Sequence, residues 1–361
     1  MNAASPSFSG AAWRRLKKNK GAMAGLFMIF LSVLVALFSY FLAPDPSPYG
    51  NRIILEVGGE KPGHTQDFLL VKKKQPENTS FFTRLAGGTP DVYNYVPVTA
   101  VQPSGDSIVI QRFIDAGVTE RMAFAKAEVP ADPVVRRKFY LGTDKYGRDI
   151  LSRLIIGTRI SLSVGLVTVL ISLTVGISLG AIAGYFRGAA DEAIMWLINV
   201  IWSIPTLLLV FAITLLLGKG FWQVFIAVGL TMWVNVARLV RGQVLAAREL
   251  QYVEAGRALG FSHFRIIARH ILPNILGPIL VIAASNFASA IVIEAGLSFL
   301  GVGVQPPQPS WGLMIKENYN FIITENPVLA LAPGFAIMLL VLAFNLLGNG
   351  LRDALNVRGK I

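Results

Sequence analysis

The 361-residue chain contains no cysteine, which excludes disulfides, thiolate chemistry and cysteine-ligated metals. It also lacks a G-x-x-x-x-G-K-[ST] phosphate loop. Gly218-Lys219-Gly220 does not have the spacing that curls backbone amides around phosphates, so ATP hydrolysis is not assigned to this chain. Histidine is scarce: His64, His263 and His270 are scattered and make no zinc-binding arrangement. No nucleophile stands beside a base, so no catalytic, metal or cofactor-binding residue is assigned. Charge is scarce as well, with 15% charged residues against 53% hydrophobic, a balance that soluble domains rarely show.

What is present is a set of apolar runs longer than the ~18–20 residues that cross a bilayer. The net charge of +12 could suit nucleic acid. The basic residues, however, flank apolar runs, as they do when anchoring a chain at the cytoplasmic face of a lipid membrane. Nucleic acid is set aside as a partner. Arg14, Arg15, Lys17, Lys18 and Lys20 precede the first run and place the N-terminus in the cytoplasm. That run is too long for a signal peptide and leads into Pro44-Asp45-Pro46, so a retained anchor is expected.

Six spans are expected: Ala22 to Ala43, Arg159 to Tyr185, Ala193 to Leu217, Phe221 to Val236, Ile271 to Leu297 and Val328 to Leu351. Six crossings return the C-terminus to the cytoplasm, where Arg352, Arg358 and Lys360 lie. The loop between spans four and five carries Arg238, Arg241, Arg248, Arg257, Arg265 and Arg269 and falls on the same side. The polar stretch from Pro44 to Gly157 includes Lys72-Lys73-Lys74, but loops longer than ~60 residues translocate largely regardless of charge. Alternating runs at Arg52–Val57, Phe68–Lys72 and Asp106–Ile114, with a turn at Pro103–Asp106, predict a small β-rich extracytoplasmic insert.

Val244 to Leu259 suits a helix rich in alanine. Gly260 suits the left-handed residue that ends it, and Ser262 suits the cap of the next helix. Small side chains at Ala255, Gly256 and Ala258 let another protein approach closely, with Glu254 offering a carboxylate. A basic hairpin lying on anionic lipid has the same general pattern. In span two Gly176, Gly180 and Gly184 form a small-residue packing face. Pro205, Pro278 and Pro333 interrupt backbone ladders within spans. Ser285, Asn286 and Ser289 in span five, and Asn345 and Asn349 in span six, face either a passage or neighbouring helices. Glu294 faces the passage or pairs with Arg159.

Glu254-Ala255-Gly256, Gly260 and Ile271-Leu272-Pro273 together resemble the EAA signature of ABC importer permeases, with Gly256 standing where that family more often has alanine. Leu141-Gly-Thr-Asp-Lys-Tyr-Gly-Arg-Asp149, Gly157-Thr-Arg-Ile-Ser-Leu162, Leu297-Ser-Phe-Leu-Gly301, Gln305-Pro-Pro-Gln-Pro-Ser-Trp-Gly312 and Asn345–Leu355 are similar to segments of the second (C-type) permease of dipeptide, oligopeptide and nickel importers. Asn349 and Asn356 depart from the commoner aspartates.

The resemblance implies an all-α polytopic membrane protein of the type I ABC importer permease fold, carrying the β-rich insert between its first two helices. It divides the chain into a basic cytoplasmic segment (1–21), an anchor helix (22–43), the insert and the segment after it (44–157), a permease core (158–351) with a coupling loop (238–270), and a cytoplasmic tail (352–361). It implies a bacterial inner-membrane location, a second homologous permease, one or two P-loop ATPase subunits that use ATP and Mg, and an extracytoplasmic substrate-binding protein. Glu254, Ala255, Gly256, Ala258, Leu259, Gly260, Ile271, Leu272 and Pro273 are the implied ATPase-coupling residues. Ser285, Asn286, Ser289 and Glu294 are the candidate pathway residues. An ion-driven secondary transporter is the alternative, but it usually shows midplane charges and internal repeats, and neither is evident here.

Overall fold

The computed structural model describes residues 8–73, 80–218, 220–323 and 326–355. Of the residues named above, Lys74, Lys219, Asn356, Arg358 and Lys360 lie outside them. In chain order the first helices are α1 (Phe8–Lys18), α2 (Lys20–Leu37), α3 (Ser39–Leu42) and α4 (Phe81–Gly87). After a sheet come α5 (Ile150–Phe186), α6 (Gly188–Trp202), α7 (Thr206–Leu217), α8 (Phe221–Ala247) and α9 (Gln251–Ala258). The last are α10 (His263–Ile266), α11 (Leu276–Phe299), α12 (Trp311–Asn318) and α13 (Val328–Leu355). The chain divides into two units, one of Met1–Ser32, Ser161–Gln305 and Ala336–Ile361, the other of Val33–Ile160 and Pro306–Phe335.

Among the described residues five helical segments are long and apolar enough to cross a membrane: Lys20–Leu37, Ile150–Phe186, Phe221–Ala247, His263–Phe299 and Val328–Leu355. A sixth is reached only if α6 and α7, bent by 93°, count as one. The expected span from Ala193 to Leu217, with its backbone interrupted at Pro205, is bent sharply there. The cause is Pro205, which has no N–H, disfavours a helical residue before it and is itself extended at ψ 125°. Ser203 softens the break, its Oγ donating to Val200 O at 2.7 Å. With 12 residues, α7 is only ~18 Å long, short of the ~30 Å hydrocarbon core. Pro278 also differs from expectation. It lies in the first turn of α11, where a missing N–H breaks no ladder, whereas Pro333 sits inside α13.

Within the first unit, the glycine face of α5 lies directly on α8. A Cβ at Gly176 would stand 2.5 Å from Val236 Cβ, and one at Gly180 would stand 2.5 Å from Ala237 O. At Gly184 it would stand 2.8 Å from Arg241 O. Such backbone proximity is how helices gain van der Waals contact in lipid, where no hydrophobic force drives them together. Gly180→Ala should cost about 1–3 kcal/mol by overpacking. A lowered melting temperature in detergent is the expected readout, and an unchanged one would mean that the two helices separate freely. At the other end of this unit Asn19 Oδ1 accepts from Ala22 N at 3.1 Å and caps α2. Leu16, Ala22 and Ala354 pack together beside it.

The second unit holds the insert, a five-stranded antiparallel sheet of β1 (His64–Lys72), β2 (Tyr93–Ser104), β3 (Ser107–Asp115), β4 (Val118–Ala125) and β5 (Val134–Phe139), ordered β4-β3-β2-β1-β5. Gly105 and Gly117, both at positive φ, form the two-residue turns of the β2-β3-β4 meander. Neighbouring residues of a strand point to opposite faces, yet Phe68 and Leu69 of β1 are both fully buried. Phe68 packs with Ile54, Val57 and Phe139, and Leu69 with Val98, Ile108 and Ile110, so the strand has a core on each side. The alternation at Arg52–Val57 misled the sequence reading. Leu55–Val57 is a 3-10 turn, and its Val57 together with the preceding Ile54 packs against the sheet rather than joining it.

The segment before α5 folds around Asp144. Its Oδ1 accepts from the N–H of Tyr146 at 2.9 Å and of Arg148 at 3.0 Å, while Oδ2 accepts from Arg148 Nε at 2.6 Å. Arg148 and Arg153 both reach Glu317 of α12, at 2.8 and 3.1 Å. Gly147, at φ +72°, lies so close to Ile54 that a Cβ would stand 1.7 Å from Ile54 O. Asp149 caps α5 by accepting from Ser152 N at 2.8 Å. Burial pushes its carboxyl above the usual carboxylate range, against the opposing Ser152 hydrogen bonds.

Candidate functional site

Two features of the first unit stand out, a turn between short helices and a polar cavity. The helix expected over Val244–Leu259 is interrupted. α8 ends at Ala247 and α9 starts at Gln251, because the chain turns extended at Leu250. α9 closes on Gly260 at φ +74°. Gly260 N donates to Arg257 O at 2.9 Å and Phe261 N to Gly256 O at 3.0 Å, the paired bonds of a Schellman turn. Ser262 Oγ then accepts from Arg265 N at 3.4 Å and starts α10. A π-helical turn over Ile267–Ile271 and a 3-10 turn over Leu272–Ile275 carry the chain into α11.

Burial separates this segment into an anchor and a free face. Val253, Ile266, Ile271 and Ile275 join Val240, Val244, Ala247 and Tyr185 in one core cluster. Tyr185 OH lies 3.0 Å from His263 Nδ1, and Arg248 Nη1 donates to Tyr185 O at 2.5 Å. Glu254, Ala255, Ala258 and Gly260 are exposed, as are Leu259 at 72% and Phe264 at 81%. The segment therefore presents exposed apolar side chains from a buried anchor. Of the coupling candidates, Gly256 and Ile271 are buried, Leu272 is half-buried, and Pro273 is exposed. A Cβ at Gly256 would meet Phe261 at 3.5 Å, ordinary contact, so the alanine usual in the family fits there.

The cavity, of about 800 Å³, lies between α6, α7, α8, α11 and α13. Ser285, Asn286, Ser289 and Asn345 line it, and Glu294 and Asn349 are not among its lining residues. Asn286 also reaches α5, its Nδ2 donating to Ser172 Oγ at 3.4 Å. Glu294 is 1% exposed and accepts from Ser298 Oγ at 2.6 Å. That hydroxyl in turn accepts from Val304 N at 3.1 Å, so this carboxylate is tied into the turn after α11.

The sequence reading missed Thr231, Asn235 and Arg238, which line the cavity from α8. It begins a loop at Arg238, whereas the helix continues to Ala247. The signal was available, since positions 231, 235 and 238 have the i, i+4, i+7 spacing of one helix face.

Comparison with known proteins agrees with this architecture. Residues 176–359 match the family described as binding-protein-dependent transport system inner membrane component. Residues 7–55 match the N-terminal TM domain of oligopeptide transport permease C. The dipeptide transport system permease protein DppC of Bacillus subtilis (strain 168) is 33% identical over 97% of this chain and 86% of its own. The di/tripeptide transport system permease protein DppC of Pseudomonas aeruginosa (strain UCBPP-PA14) is 36% identical over 96% of this chain and 91% of its own. The glutathione transport system permease protein GsiD of Pectobacterium atrosepticum is 43% identical over 61% of this chain and 73% of its own. The chain therefore belongs to the binding-protein-dependent inner-membrane transport family, as a multi-pass permease of an ABC importer.

Proposed function

We propose that this permease, of the type I fold with six crossings, imports small peptides or peptide-like solutes such as glutathione. A second homologous permease completes the passage around the cavity of Ser285, Asn286, Ser289 and Asn345. One or two P-loop ATPase subunits dock on the face that carries Glu254, Ala255, Ala258, Leu259 and Gly260. Gly256, Ile271, Leu272 and Pro273 hold that face in place. ATP and Mg belong to those subunits, and this chain binds no cofactor. A substrate-binding protein delivers cargo on the extracytoplasmic side, where the five-stranded insert lies, and both termini stay in the cytoplasm.

The observation that carries this reading is the exposed Leu259–Phe264 turn fixed on a buried cluster that includes the ends of α5 and α8. A push on the turn is transmitted as rigid-body motion because its anchor is close-packed. ATP binding to the closed motor then biases the passage between its two access states. The test is purification of the tagged protein in mild detergent with identification of its partners by mass spectrometry. A homologous permease plus one or two P-loop ATPases is the expected result. A protein that purifies alone, from cells expressing such ATPases, would turn the reading towards an ion-driven carrier.

A further inference from the structure

Among the described residues the cavity lining contains one cation, Arg238, and no carboxylate. Thr231, Asn235, Ser285, Ser289 and Asn345 supply only neutral donors and acceptors around it. Arg238 stacks its guanidinium on the indole of Trp202, 3.8 Å from the ring centre. Stacking occupies the face of the guanidinium and leaves its N–H edges available. Among the described residues no carboxylate forms an ion pair with it. The next arginine on the helix differs, since Arg241 is bound through two nitrogens to Asp191, at 2.5 and 2.6 Å.

An unpaired guanidinium held flat by an aromatic ring is pre-organised for a bidentate carboxylate. We propose that Arg238, held by Trp202, is a specificity-determining site for carboxylates in the passage, favouring peptides with anionic side chains over cationic ones. This rests on the reading of the chain as a peptide permease, and it assigns the charge preference of that permease to one residue.

The test compares uptake of labelled Ala-Glu, Ala-Ala and Ala-Lys by the complete transporter carrying R238, R238Q or R238E. Each ratio is taken within one variant, so a general loss of gating cancels. R238E should lower the Ala-Glu to Ala-Lys ratio at least tenfold, with R238Q between it and wild type. Equal ratios in all three would overturn the proposal. A second measurement needs no transport. Titrating the purified complex with Ala-Glu should change Trp202 emission saturably, identified by its loss in W202F, and R238Q should abolish the change. A wild-type complex that transports none of the peptides would count against the peptide reading, while the Trp202 titration still decides the role of Arg238: no carboxylate-dependent change rejects it.

Discussion

Replacing Glu254 with lysine and Gly260 with valine together should detach the ATPase and lower peptide uptake at least a hundredfold. That corresponds to about 3 kcal/mol of coupling. Two local effects add. Valine at φ +74° is sterically strained by roughly 1–2 kcal/mol and disfavours the Schellman turn that aims Leu259 outward. Lysine reverses the charge that the exposed face presents at 254. The rest of the protein should survive, because a Cβ at Gly260 would have no neighbour within 4 Å. Membrane insertion and a monodisperse profile in detergent are therefore the controls, and ATPase pull-down is the readout. Full ATPase retention by a properly inserted variant would rule out this turn as the docking point.

Glu317→Gln should lower the melting temperature on the order of 10 °C, from a loss of about 3–5 kcal/mol. Glu317 is the carboxylate shared by Arg148 and Arg153. Arg148 keeps Asp144 and Asn51 after the change. Arg153 does not have that reserve. It is 1% exposed, and its Nε and Nη1 have no hydrogen-bond partner among the described residues. Removing the opposite charge leaves a buried cation unpaired, which costs more than the pair itself contributes. The companion variant R153M/E317L removes both charges together and should recover most of the loss. Should E317Q melt with wild type, the three side chains are not a stabilising network.

Much of the fold could be read from residue order. Long apolar runs locate α2, α5, α8, α11 and α13 because a helix must hide its backbone from lipid whatever surrounds it. The hairpin around Gly105-Asp106 was legible for a similarly local reason, a turn between alternating runs. The bend at Pro205 was legible only as a kink, since its 93° depends on how α6 and α7 pack. The turn between α9 and α10 was readable at Gly260 and Ser262, where backbone geometry and capping restrict the residue types. Arg238 was lost to the rule that basic residues mark loops. α8 instead runs on to Ala247, so Arg238 lies within the helix with its guanidinium over the ring of Trp202. The turn at Leu55–Val57 was misread because Ile54 and Val57, which pack on the sheet, lie in a run that alternates much as a strand does.

The order of strands in the insert has a consequence for biogenesis. β1, with Phe68 and Leu69 needing cover on opposite sides, is made before either neighbour, and its second neighbour β5 starts only at Val134. During synthesis the β2-β3-β4 meander can close by short-range turns, while β1 waits with an unpaired edge for a distant segment. A nascent chain arrested between Ala125 and Val134 presents a sticky apolar strand to its surroundings. The sheet of the insert is thus completed only at the arrival of β5, its last strand in the chain.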